Sequence, residues 1–173
     1  RRNGGAFRLF LNYISFAFSA PLKLRKIKGS FDAIFVYQTS PVTVGIPAIF
    51  AKKLFKAPIY FWVQDLWPES LAAAGGIKNK FILGFFNSLT KWIYNHSKKV
   101  LIQSNGFREY ILNQGIPNDK IIFYPNPTED FYKPLKEVKE YQEFFQSEFY
   151  NIIFAGNIGE AQSFKTIIEA INE

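Results

Sequence analysis

With 173 residues, 48% of them hydrophobic and 20% charged, the chain can bury one full core, or one domain and part of another, and is excluded from wholesale disorder. The absence of Cys rules out disulfides and thiolate metal sites, and leaves a reducing compartment compatible. The net charge of +7 is uneven, because residues 1–60 hold ten Lys/Arg against one acid, Asp32, while residues 61–173 hold eleven against thirteen. A basic first third suits anionic lipid or nucleotide, and nucleic acid is set aside because no recognition motif accompanies the charge. The chain opens on Arg1 and contains no Met, so it reads as a segment of a longer protein.

Along the chain, Phe7 to Leu22 is strongly apolar but is interrupted by Arg8, Asn12, Ser15 and Ser19. It is too short and too polar to span a bilayer, and no signal-peptide pattern is present. The preferred expectation is a crossover helix buried on a sheet. Its basic end (Lys23, Arg25, Lys26 and Lys28) is free to meet an anionic membrane surface. Strand then alternates with helix: a strand over Ala33–Tyr37, a helix over Val42–Phe55, a strand over Ile59–Val63 and a helix over Asn79–Asn95. A strand over Lys99–Gln103 follows, then a helix over Phe107–Asn113 that stops on Gly115 with Pro117 beyond, then a short strand over Lys120–Tyr124. Apolar strands alternating with helices predict an α/β fold: a Rossmann-like parallel sheet with helices on both faces, incomplete at both ends.

After Tyr124 the composition turns prolyl, from Pro125 to Pro134, and a domain boundary is expected there. Residues 1–128 form the first domain, and 129–173 a linker and the start of a second. That second part is read as a charged helix over Glu137–Ser147, a buried strand over Asn151–Ala155 and a helix from about Ala161.

Three places could carry chemistry. Asp65, Trp67 and Glu69 follow the Ile59–Val63 strand, and the carboxyl edge of an open parallel sheet is where ligands bind. They read equally as an acid–base and sugar-stacking site, or as a helix cap, a packed indole and a dipole partner. Gly156-Asn157-Ile158-Gly159-Glu160-Ala161-Gln162 could approach a diphosphate with free N–H groups, though a tight strand-to-helix turn explains two glycines as well. Thr39 and Ser40 end a strand and could line the same cleft, with helix capping the favoured reading. Ser104 and Asn105 share that ambiguity, and Arg108 reads as a solvated cation. His96, the lone histidine, is expected at the surface, so a Ser–His–Asp triad and zinc chemistry are disfavoured.

The run Phe61–Ser70 and the run Gly156–Gln162 together resemble glycosyltransferase family 4, in its bacterial branch of L-fucosamine-type transferases of surface polysaccharide. Ser104-Asn105-Gly106-Phe107-Arg108, Gly115, Lys120-Ile121 and Pro125-Asn126 resemble the same family's approach to its interdomain linker. The resemblance implies a GT-B architecture of two facing Rossmann-like domains. It implies retaining transfer from a nucleotide-sugar, UDP-linked, to a lipid-linked sugar acceptor at the cytoplasmic membrane face, with no metal and no cofactor. It makes Asp65 the catalytic residue and places Gly156, Asn157, Gly159 and Gln162 around the donor diphosphate. Trp67, Glu69, Thr39 and Ser40 are the substrate-binding expectations. The sequence departs from the family pattern at Asn157 and Gln162, where many relatives carry Arg and Lys, and at Asn126-Pro127-Thr128, which replaces a more usual Asn-Gly turn. The downstream acidic pair of the family is not found before Glu173, nor is its first strand and glycine loop, so the segment alone is expected to be inactive. A GT-B sugar-nucleotide epimerase and a non-catalytic membrane-docking module are the competing classes.

Overall fold

The computed structural model describes residues 6–75, 77–134, 148, 150–156, 158 and 162–171. The chain divides into two units, Arg1–Asn126 and Pro127–Glu173.

The first unit is a four-stranded parallel sheet in the order β1-β2-β3-β4, formed by β1 (Ile34–Gln38), β2 (Ile59–Val63), β3 (Lys99–Ile102) and β4 (Ile121–Phe123). The β2 run matches its expected bounds because five consecutive β-branched and aromatic residues lie between Pro58 and the polar pair Gln64-Asp65. Register aligns Gln38 with Val63, Val63 with Ile102 and Ile102 with Phe123, so the carboxyl ends of all four strands share one edge.

Helices fill the crossovers. A 3-10 turn (Val42–Val44) leads into α2 (Gly45–Phe55) between β1 and β2. α3 (Glu69–Gly75) and α4 (Lys80–His96) join β2 to β3, and α5 (Gly106–Asn113) joins β3 to β4. Asn79 starts α4 by accepting the Phe81 and Ile82 N–H groups at 2.9 and 3.3 Å. Gly115, at φ +80°, closes α5 in the left-handed region that a side chain disfavours, the stop expected there.

The strands divide by period two. Ile59, Phe61, Val63, Val100, Ile102 and Ile121 point into one dry core with Ile49 of α2, Ile93 and Tyr94 of α4, and Ile111 of α5. Gly45 allows α2 to meet α4 closely, since a Cβ there would lie 2.5 Å from Ile93 Cγ2. The opposite face carries an aromatic cluster in which the Trp62 ring lies 5.1 Å from both Tyr37 and Tyr124 and 5.8 Å from Phe35.

Two expectations are corrected. The first helix, α1 (Ala6–Leu24), is not a crossover buried on the sheet but packs chiefly on α2 and the 3-10 turn. Ala17 is the one buried side chain among those described in it, and Phe16, Phe18 and Leu22 are 50%, 73% and 63% exposed. The apolar pattern predicts a sheet-facing stripe, but the chief neighbours of α1 are α2 and the 3-10 turn. In the second unit, Asn151–Ala155 is irregular and exposed rather than a buried strand. A β-branched and aromatic run favours a strand but does not by itself form one. α6 (Phe164–Ile171) starts three residues later than expected. The Glu137–Ser147 helix lies outside the described residues.

Candidate active site at the carboxyl edge of the sheet

The first three strands end on or just before a glutamine (Gln38, Gln64 and Gln103), and backbone and side-chain amides together tie the carboxyl edge. The Gln64 N–H donates to the Gln38 carbonyl at 2.9 Å, Gln103 Nε2 donates to the Gln64 carbonyl at 2.7 Å, and Asn126 Nδ2 donates to Gln103 Oε1 at 2.5 Å. Tyr124 closes the same edge, donating its N–H to Ile102 O at 2.8 Å and accepting Trp62 Nε1 at 2.9 Å through its own carbonyl. Gln38 Oε1 and Gln64 Nε2 are buried and have no partner among the described residues. Both atoms are closed to solvent, so they are polar groups enclosed beneath the edge and not part of an open surface.

Asp65 follows directly on this row. It is partly buried, and the loss of solvent pushes its carboxyl above the ordinary carboxylate value. Among the described residues the sole ion pair is Lys165–Glu169, so no cation offsets that shift. Thr39 and Ser40 lie on the neighbouring loop after β1, exposed, with no cap bond at the following helix entry. The Ser40–Pro41 and Trp67–Pro68 peptide bonds, both in loops of this edge, are cis.

Trp67 and Glu69 do not join that cleft as expected. Trp67 is 4% exposed and belongs to the core, its ring 5.2 Å from Phe86, so its face is not open for a sugar to stack on. Its apolar bulk is better satisfied under the loop than over it. Glu69 instead faces α5. The Tyr110 hydroxyl is pushed well above its usual range by burial first and then by its hydrogen bond to the Glu69 carboxylate. Gln114 Nε2 lies 3.1 Å from Tyr110 Oη and 3.0 Å from Asn87 Oδ1, and both Gln114 and Tyr110 reach the Trp67 carbonyl at 3.4 Å. This network clamps the loop from beneath and leaves Asp65 as its chemically free carboxylate.

Arg108 Nη1 donates to Asn118 Oδ1 at 2.7 Å, which anchors the turn before β4. His96 Nδ1 lies 2.8 Å from the Trp92 carbonyl at the end of α4, a structural role far along the chain from the edge loops. Gly156 and Gln162 are exposed residues of the second unit, before α6, while Asn157 and Gly159 lie outside the described residues. Among the described residues no group of three potential metal ligands occurs. Gln103 and Asn126 were overlooked as edge residues in the sequence, because only the strand register brings them together.

The glycosyl transferase 4-like domain model matches residues 6–127, well over half of the chain. The chain belongs to that family. The parallel sheet with its crossover helices is the Rossmann-like half of a GT-B glycosyltransferase, and glycosyl transfer is the general activity the family carries. No curated protein and no solved structure matches the chain. Within this glycosyltransferase domain no described helix is long and apolar enough to cross a membrane.

Proposed function

We propose that this domain belongs to a retaining glycosyltransferase that moves a sugar from a UDP-sugar to a lipid-linked acceptor, in surface-polysaccharide assembly at the cytoplasmic membrane face. The observation that carries the site is Asp65, a partly desolvated carboxylate with no ion-pair partner among the described residues, placed at the carboxyl edge of the sheet. A carboxylate whose affinity for protons is raised is suited to accept one at working pH. In the proposed step the acceptor hydroxyl gives its proton to Asp65 as its oxygen bonds to the sugar's anomeric carbon. The bond from that carbon to the donor diphosphate breaks, and the diphosphate leaves on the same face. Thr39 and Ser40 orient the acceptor, while Gly156, Asn157, Gly159 and Gln162 border the donor diphosphate. N–H groups aimed at the leaving charge supply electrostatic stabilisation without a metal.

The membrane side of the proposal is supported by the exposed Phe16, Phe18 and Leu22 of α1, which lead into Lys23, Arg25, Lys26 and Lys28. Steady-state kinetics of the full-length parent protein with UDP-sugars and a lipid-linked acceptor test the site. Asp65→Asn should lower kcat by about 10²- to 10⁴-fold with little change in donor affinity. Gln162→Ala should weaken donor binding. Unchanged turnover in both variants removes the assignment, and product chromatography separates transfer from epimerisation of the donor.

A further inference from the structure

The outer face of α4 is not used by the core. Thr90, Ile93 and Tyr94 are its buried positions, with Phe86 and Leu89 packed beside them. On the other side Phe81, Phe85 and Trp92 are 90%, 64% and 42% exposed, and with Ser88 they follow a spacing of four, three and four residues. That spacing makes one continuous stripe along the helix. An exposed aromatic stripe of this length marks a binding surface.

Charge identifies the occupant. From Ser70 to Arg108 the sequence holds Lys78, Lys80, Lys91, Lys98, Lys99 and Arg108, and no Asp or Glu. A water-facing helix ordinarily mixes signs along its outer face. A second copy of this chain would set lysines against lysines. Aromatic rings flanked by lysines, with no acid among them, fit the boundary between acyl chains and anionic headgroups.

We propose that α4 lies in the surface of an anionic bilayer, with Phe81 and Phe85 inserted and Lys78 and Lys80 against the headgroups. β2 leaves the sheet at the carboxyl edge and α4 returns the chain to the opposite edge, so the Phe81 end lies on the Asp65 side of the domain. A membrane at that end brings a lipid-anchored hydroxyl to the candidate site. The inference rests on the lipid-linked-acceptor reading for its purpose, but its surface is read independently of catalysis.

The test uses the full-length parent protein with vesicles of phosphatidylglycerol and phosphatidylcholine, and with phosphatidylcholine alone. Of the three tryptophans, Trp62 and Trp67 are 9% and 4% exposed, so Trp92 is the natural reporter of α4. Anionic vesicles should shift Trp92 emission to the blue, brominated acyl chains should quench it, and Trp92→Phe should abolish the quenching. Phe81→Ser with Phe85→Ser should lower vesicle partition about tenfold or more, while transfer to a water-soluble acceptor analogue stays unchanged. Vesicle binding without quenching, unaffected by the double variant but lost in Lys23→Gln with Lys26→Gln and Lys28→Gln, overturns the α4 assignment and leaves α1 as the docking element. No vesicle binding at all overturns both membrane assignments, yet leaves transfer in detergent as a separate measurement.

Discussion

The two faces of the parallel sheet are made by the same four strands, yet they are different materials. One face is aliphatic with Phe61 at its centre, and it is closed by α2, α4 and α5. The other is aromatic and half open, with Phe35 and Tyr37 54% and 55% exposed around Trp62. The difference teaches where the stability of the domain resides. Burial scales with area removed from water, so the closed face carries most of the hydrophobic stabilisation. The aromatic face adds ring-to-ring contacts of modest size.

The sharpest way to break that contrast is to truncate one ring on each face. Phe61→Ala should cost about 3–5 kcal/mol, because the fully enclosed site cannot collapse around the lost ring. Phe35→Ala on the open face should cost only about 1 kcal/mol. Urea unfolding of the two variants measures both, and equal losses would show that the open face is covered in solution.

A smaller effect is expected where the closed face is tightest. Gly45→Ala drives a methyl group into Ile93, 2.5 Å from its Cγ2, and should cost about 1–3 kcal/mol. Ile93→Ala in the same chain should recover part of that loss, so the two changes couple rather than add. Strict additivity would mean that α2 and α4 move apart freely. Smaller still is Tyr94→Phe. The Tyr94 hydroxyl is fully buried with no partner among the described residues, so its removal should be neutral or slightly stabilising by denaturant midpoint.

Much of this was legible because local signals agreed with the global fold. β2 was readable to the residue, and α4 was readable to within one residue at each end, with Asn79 its cap and not its first residue. α1 was misread because periodicity shows that a helix has an apolar stripe, not what the stripe faces. Phe18 and Ile93 look alike in sequence, yet Phe18 is 73% exposed and Ile93 is in the core. Asn151–Ala155 failed for a related reason, since its apolar run shows strand propensity while the segment itself is irregular and exposed. At the candidate site, Asp65 was legible from its place after β2. The burial of Trp67 and the turn of Glu69 toward Tyr110 were not, because both depend on α5, forty residues further along. The carboxamide row was invisible for the opposite reason: each Gln is ordinary alone, and only register brings Gln38, Gln64 and Gln103 to one edge.

The smallest expected effect concerns that edge and sets the site against the core in a single measurement. Burial raises the Asp65 carboxyl above its ordinary value of 3.8, so over the interval from 3.8 up to the raised value the folded chain holds more of this proton than the unfolded chain. Stability contributed by this group therefore falls as pH rises through that interval, and the deficit is fully present at neutral pH. Asp65→Asn removes the ionisation. It should make the folded chain slightly more stable than the parent at neutral pH, with the advantage fading below 3.8. A catalytic carboxylate held at a cost to the fold predicts that gain together with lost turnover. Urea midpoints of parent and variant across this pH range decide it, and an unchanged or lowered neutral-pH midpoint would show Asp65 to be a structural cap.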